Sequence, residues 1–472
     1  MKLKINPYYL IIFITIPFVI WGKLLILPTF DDWNTLSSPN YDPEWYKYLF
    51  SCGSFWRPFD AAFGYLYGYI GHQFYPTINH ICIAIGHLTN TLLVYMMCRE
   101  LRIKPLARSI ATTFFYISPC VWATVWACDS LNQTYSQLWG MAAVLLYLRT
   151  KECNSKYILW FIFVFIAAMA KENGLAWAVV PPIIAYGFNR IDKKTLKRHL
   201  LFGLSIAMAY AIVRLSIPHY FDYNPDYQTF SITRKVKEIG MVLVNSLMAV
   251  DLISILHAPS RNIGMAIATI VLSLPMFYMT FIRKLPVMMM RPALSLMASA
   301  VVVLSPHLLL SLSMMNAYAS LGMVAVLVGY LVNSYRSTRL LNIAFSLYLL
   351  SALAIGIHTW YCSWKSGLMG KHLAEEIIQK TGKPVNNVLF IIVEDDYPKL
   401  SSFCVIPSDA LGWGIAVSHA NAYKWPENIK DTLVNHNTPP ETIRRMTHDA
   451  FLKGYDCVWT INGTQTESIR KK

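Results

Sequence analysis

The chain reads as an α-helical polytopic membrane protein of about eleven spans, with a small α/β domain at its C-terminal end. Three observations predict this. Of its 472 residues, 55% are hydrophobic and only 14% charged, and the mean hydropathy is positive. Apolar stretches long enough to cross a bilayer alternate with short basic clusters, and beyond residue 370 the chain turns polar and gains strand-like runs. A soluble enzyme of this length would carry more charge and fewer apolar residues. The formal charge of +15 does not point to nucleic acid, because Lys and Arg sit between apolar spans and form no stripe with interleaved aromatics.

Segment 8–29 is the first span, preceded by the basic Met1-Lys2-Leu3-Lys4. No convincing small-residue cleavage site follows it, so it is expected to stay as a signal anchor. Later spans end in basic joints: Arg99, Arg102, Lys104 and Arg108; then Arg149, Lys151 and Lys156; then Arg190, Lys193, Lys194, Lys197 and Arg198. Arg283, Lys284 and Arg291, and then Arg336 and Arg339, continue the series. Cationic loops stay in the cytoplasm, so the turns around 30–75, 123–131, 171–174, 218–261 and 313–317 are expected outside, with the tail. Segment 239–258 carries Asp251 and ends in His257-Ala258-Pro259, and is expected to lie at the membrane surface, not across it.

The polar tail should open with a helix over 372–381 and a strand at Val388–Val393, followed by a helix near 439–453 and a strand at Cys457–Ile461. This divides the chain into a membrane domain, 1–369, and an outer α/β domain, 370–472. Glu394-Asp395-Asp396 follows a strand with no Gly-rich phosphate loop, which suits a solvated strand end. None of the nine cysteines shows metal spacing; Cys404 and Cys457 could pair on an oxidising side.

Candidate chemistry clusters in the outer turns. Phe30-Asp31-Asp32-Trp33 sets two carboxylates directly behind the first span, where a membrane enzyme would hold a base, although an acid pair can also simply solvate a helix end. Phe55-Trp56-Arg57-Pro58 follows in the same loop, and an Arg there can hold phosphate by a bidentate fork. Lys171-Glu172-Asn173 interrupts an apolar stretch from 157 to 188; such residues mark a site, or a self-neutralised pair at a tight turn. His80 and His87 are two turns apart, which suits packing or a hydrogen bond to another span better than one metal.

The order Phe30-Asp31-Asp32, Trp56-Arg57-Pro58, Tyr75-Pro76 leading to His80 and Asn90, Ser118-Pro119 to Trp126, and Ala170-Lys171-Glu172-Asn173-Gly174 resembles the catalytic module of the GT-C superfamily of polyprenyl-phosphate-sugar glycosyltransferases. The likeness is to its protein O-mannosyltransferase-like members and covers about a third of the chain well, residues 23–190. It implies a GT-C-like fold and inverting sugar transfer from a polyprenyl-phosphate donor to a glycan, lipid or protein acceptor, with Asp31 as base and Asp32 orienting the acceptor or its partner, the sequence alone not deciding between the two acids. Arg57, Lys171 and Tyr318 would meet the donor phosphate, with Glu172, His80 and Asn316 in support. Relatives usually carry Arg-Tyr in a late outer loop, whereas this chain reads Met315-Asn316-Ala317-Tyr318, and it lacks their tetratricopeptide repeats. No metal or other cofactor is expected, although a divalent cation between the two acids and Glu172 is compatible with the residues. The resemblance places the protein in a bacterial inner membrane with its site and tail periplasmic. A lipid-linked glycan flippase or an inactive membrane scaffold are the alternatives.

Overall fold

The computed structural model describes residues 6–29, 32, 56–59, 62, 77–217, 231–248, 263–282, 285–309, 314–335, 338–381, 387–394, 429–462 and 465–470. Apolar stretches with no room for unpaired backbone groups become helices, the one open-chain conformation that satisfies every N–H and C=O within the segment. In chain order these are α1 (Pro7–Leu24), α2 (Thr77–Glu100), α3 (Pro105–Ile117), α4 (Pro119–Val125), α5 (Leu131–Arg149) and α6 (Asn154–Ala170). They continue with α7 (Val180–Gly187), α8 (Lys193–Ser216), α9 (Ile232–Leu247), α10 (Ile263–Phe277), α11 (Val287–Leu304), α12 (Met314–Val332) and α13 (Thr338–Thr381).

Among the described residues six helices are long and apolar enough to cross a membrane: Pro7–Leu24, Thr77–Glu100, Lys193–Ser216, Val287–His307, Met315–Val332 and Thr338–Ile377. Two shorter apolar helices, Asn154–Ala170 and Ile267–Ile282, stand beside them, and other expected spans are broken or polar for local reasons. The stretch between the basic joint at 99–108 and the outer turn at 123–131 breaks at Ser118, where Pro119 starts a new helix. α5 carries Asn132, Gln133, Thr134, Ser136 and Gln137 on its first turns, all buried among neighbouring helices. The stretch 174–188 divides into a 3₁₀ turn, Glu172–Ala178, and the short α7. The segment expected over 239–258 starts earlier, as α9, which packs against α4 and α12; residues 249–262 lie outside the described residues.

α12 forms the centre, buried along most of its length, and α2, α3, α4, α5 and α11 pack around it. Lipid tails are as apolar as Leu, so close packing and a few polar contacts hold such a bundle together, each polar contact contributing about 0.6 kcal/mol. The Tyr318 hydroxyl on α12 bonds to His87 Nδ1 at 3.1 Å and accepts from Asn90 Nδ2 at 3.2 Å, and Asn90 donates to Thr134 O at 2.8 Å. One triangle thereby ties α12, α2 and α5.

The helix expected over 372–381 is the end of α13, a continuous 44-residue helix. At 1.5 Å per residue it is about 66 Å long, twice a hydrocarbon core. Lys371 and Glu375, 3.8 Å apart, and the Glu376–Lys380 pair support its polar end. Beyond it lie β1 (Val388–Glu394), β2 (Ile429–Asn435), α14 (Pro440–Leu452), β3 (Cys457–Asn462) and β4 (Gln465–Arg470). The sheet order is β2-β1-β3-β4, parallel across the first three strands, with β4 antiparallel to β3. β1, α14 and β3 match expectation. β2 and β4 were not anticipated, because Ile-Lys-Asp-Thr-Leu-Val-Asn and Gln-Thr-Glu-Ser-Ile-Arg are too polar to stand out as strands. Ile391, Ala450 and Val458 form their core. Cys404, Asp395 and Asp396 lie outside the described residues.

Candidate functional site

Among the described residues, the expected outer turns around Asp32 and Arg57, 123–131 and 171–174 meet one another. Asp32 is 4% exposed and both its oxygens are used. Oδ2 accepts from Thr29 N at 2.9 Å, and Oδ1 accepts from Cys128 N at 2.8 Å and Asp129 N at 3.0 Å. Asp32 therefore clasps the loop behind α1 to the loop before α5. Lys23, buried at the end of α1, braces the same loop by donating to Val125 O and, at 2.8 Å, to Ala127 O. Asp31 lies outside the described residues.

Asp129 comes next to Asp32 through this clasp, and among the described residues nothing bonds its Oδ1. Burial, then the Asp129 charge, push the Asp32 carboxyl up to about 8, against the pull of its N–H bonds and of Lys23. Burial likewise raises Asp129, against the pull of Lys171 and Arg57. Each carboxyl makes the other harder to ionise, since burial and a neighbouring negative charge both favour the neutral acid.

The cations stand beside them. Arg57 grips Glu172 by a bidentate fork, Nε to Oε1 at 2.9 Å and Nη2 to Oε2 at 3.0 Å. Burial alone would raise the Glu172 carboxyl, but Arg57, with help from Lys171, holds it below its usual value. Glu172 and Lys171 occupy a reversal between α6 and the following 3₁₀ turn that needs glycine: a Cβ on Gly174 would stand 2.1 Å from the Ala167 carbonyl carbon. Lys171 is 7% exposed, and its charge reaches Asp129, Glu172 and the buried His307. Ser136 Oγ donates to Asn173 Oδ1 at 3.2 Å and fastens this turn to α5.

The remaining expected residues sit around this cluster. His80 bonds through Nε2 to Ile26 O at 2.9 Å, with Cys128 Sγ 3.8 Å away, so it positions the chain just before the acidic loop. His87 contacts Tyr318 and Tyr116 O, and each histidine bonds to another element, as packing histidines do. Tyr318 is fully buried in the triangle with His87 and Asn90, and Asn316 accepts from Gln133 Nε2 at 3.1 Å. Among the described residues no group of three His, Cys, Asp or Glu side chains is arranged to hold a metal. Asp129, Lys23 and His307 were not singled out from the sequence. Lys23 had a signal, as the single charge inside the first apolar stretch; Asp129 had one too, as an acid in an outer turn just before α5.

An apolar groove of about 570 Å³ runs between α1 and α13, lined by Phe18, Trp21, Leu25, Leu353, Ile357 and Trp360 among others. Trp122 and Trp126, stacked 5.1 Å apart, form its end and also line a small cavity against Asp32 and Thr29. Both indoles are buried, and neither Nε1 has a hydrogen-bond partner among the described residues. The groove thus leads from the apolar flank of the bundle to the acidic loop.

No family model and no curated protein matches the sequence. Among solved structures the chain is similar to the Archaeoglobus fulgidus oligosaccharyltransferase in complex with Zn and sulfate, at 13% identity over 94% of this chain and 67% of that one, with a TM-score of 0.47. It is similar to archaeal AglB from the same organism with an inhibitory peptide and a dolichol-phosphate, at 11% identity over 95% and 69%, TM-score 0.46. It is also similar to ArnT from Cupriavidus metallidurans bound to undecaprenyl phosphate, at 11% identity over 98% and 97%, TM-score 0.47.

Proposed function

We propose that the protein is a membrane glycosyltransferase that moves a sugar from a polyprenyl-phosphate donor to an extracytoplasmic glycan, lipid or protein acceptor, with inversion. The observation that carries this reading is the juxtaposition of buried acids, cations and an apolar groove. Asp129, held beside Asp32, feels the charges of Arg57 and Lys171, and the groove reaches the Asp32 loop through Trp122 and Trp126. A polyprenyl chain needs an apolar channel, its phosphate needs cations, and the acceptor needs a base, within reach of one another.

A carboxylate takes the proton from the acceptor hydroxyl as its oxygen attacks the anomeric carbon from the face opposite the phosphate. The anomeric C–O bond breaks, and the electron pair leaves with the polyprenyl phosphate. Arg57 and Lys171 meet the charge that develops there. Asp31 carries the role of base from the sequence resemblance. Asp129 supplies a second carboxylate with an unused oxygen, and Asp32, saturated by three N–H donors, positions both loops. Glu172 keeps Arg57 aimed, as one carboxylate engaging two of its five donors.

Purified protein given a radiolabelled polyprenyl-phosphate-sugar and crude membrane acceptors should release polyprenyl phosphate. Release should fall at least about a hundred-fold in Asp31→Asn, Asp129→Asn or both. No release by the wild type from any of a panel of donor sugars would overturn the reading in favour of a transporter or scaffold.

A further inference from the structure

The opposite end of the bundle holds a second charged site. A cavity of about 860 Å³ opens where α2, α5 and α7 end, walled by Arg99, Arg102, Arg149, Arg190, Glu100 and Phe188. Four arginines face one carboxylate. Glu100 is already shared, taking Arg149 Nε at 3.2 Å and Arg190 Nη1 at 2.8 Å. Helix C-termini attract cations without any ligand, and this accounts for Arg190, which donates to Leu148 O at 3.1 Å and Glu100 O at 2.6 Å.

It does not account for Arg99 and Arg102. Among the described residues neither has an acidic partner, and both are exposed on the cavity wall. Arg102 also sits at φ 57°, in the turn that stops α2, where Ile103 N donates to Cys98 O at 2.9 Å and Arg102 N to Arg99 O at 3.1 Å. That left-handed position favours glycine or asparagine, so an arginine there bears a backbone penalty that a small residue would avoid. Its guanidinium, with that of Arg99, adds charge to a concavity whose own acid is already neutralised.

We infer that this cavity binds a phosphate-bearing anion, as presented by the headgroup of an acidic phospholipid. Planar guanidinium forks match phosphate oxygens, and basic pockets between helix ends at the cytoplasmic surface hold lipid headgroups. The site is about one helix length, roughly 36 Å for α2, from the acidic loop, so the inference stands apart from the proposed sugar transfer.

The test uses the full-length protein in neutral detergent with a fluorescent phosphatidylglycerol probe, and phosphatidylcholine as the uncharged comparison. The probe should bind in preference to phosphatidylcholine and lose roughly ten-fold or more in affinity in Arg99→Gln/Arg102→Asn. Asparagine suits the left-handed backbone, so the fold should persist. Arg99→Gln alone, on an exposed helix position, gives an independent reading with an expected smaller loss. Lys193→Gln/Lys194→Gln removes the same charge away from the cavity and should change binding less than about two-fold. Equal losses in the two double variants, or none in the arginine variant, would overturn the inference. Competition by soluble glycerophosphoglycerol would identify a free phosphodiester as sufficient; lipid binding without such competition would identify the membrane headgroup as the source; binding of neither would refute the site.

Discussion

Arg57 and Glu172 lie 115 positions apart in sequence and meet in a two-bond fork, with 20% and 31% of their side chains exposed. The fork joins the loop behind the first span to the reversal after α6, and so holds the cations beside the acids. Removing either partner strands a half-buried charge. Arg57→Ala and Glu172→Ala should each destabilise by about 1 to 3 kcal/mol, and together by less than their sum. Denaturant unfolding in detergent across the four combinations measures the coupling; strict additivity would mean that the fork contributes nothing. Arg57→Lys keeps the charge and loses the fork, and should weaken donor binding more than a charge count suggests.

The acids should separate stability from turnover. Asp32 accepts three backbone N–H bonds, and in Asp32→Asn one acceptor oxygen becomes a donor facing those N–H groups. Both the melting temperature and activity should fall. Asp129→Asn breaks no hydrogen bond at Oδ1, which has none among the described residues, and should keep the melting temperature while turnover drops about a hundred-fold or more. Identical thermal profiles for the two variants would remove the distinction drawn between clasp and base.

pH acts through the same pair in opposite directions on stability and on rate. The Asp32 carboxyl holds its proton more tightly in the fold, with its value raised from 3.8 to about 8. Its contribution to stability is full below the unfolded value and is lost as pH rises through about 8. Turnover, which needs an ionised base, should climb with pH, because burial raises the Asp129 carboxyl above its usual value. Melting temperature and initial rate measured from pH 5 to about 9 should run in opposite senses, and a flat melting profile would count against the raised Asp32 carboxyl.

The groove makes a prediction about chain length. A Cβ on Gly356 would stand 2.5 Å from Trp122 Nε1, so Gly356→Ala must push the indole at the groove's end. KM for a long polyprenyl donor should rise several-fold, roughly the effect of overpacking by one methyl, with kcat changing less. A short-chain donor that does not fill the groove should be affected less than about two-fold. Equal effects on both donors would place the lipid elsewhere.

Much of the architecture follows from local chemistry alone. Composition and the alternation of apolar stretches with basic joints determine a helical membrane protein, because a long continuous apolar segment in lipid can satisfy its backbone within itself only as a helix. The acid-bearing turn behind the first span, the Lys171-Glu172-Asn173 break and the β1, α14 and β3 elements are all visible in the linear chain. Periodicity could not show that Ser118-Pro119 and Lys171–Gly174 divide spans, or that the polar segment after residue 370 prolongs α13, since a helix ends only where caps or breakers stop it.

The site itself depended on tertiary structure. Adjacent letters made Asp31 and Asp32 look equivalent, but hydrogen-bond saturation of Asp32 is set by Cys128 and Asp129, about a hundred positions away. Lys171 and Glu172 read in sequence as either a site or a self-neutral pair, and the fork gives Glu172 to Arg57. Tyr318 sat in a motif expected outside, and packing places its hydroxyl against His87 and Asn90. A side chain's role is decided by the partner that satisfies its charge or hydrogen bond, and that partner is usually distant in sequence. Sequence thus determines which chemistry is present at each end of the bundle, and only the fold decides which groups face one another.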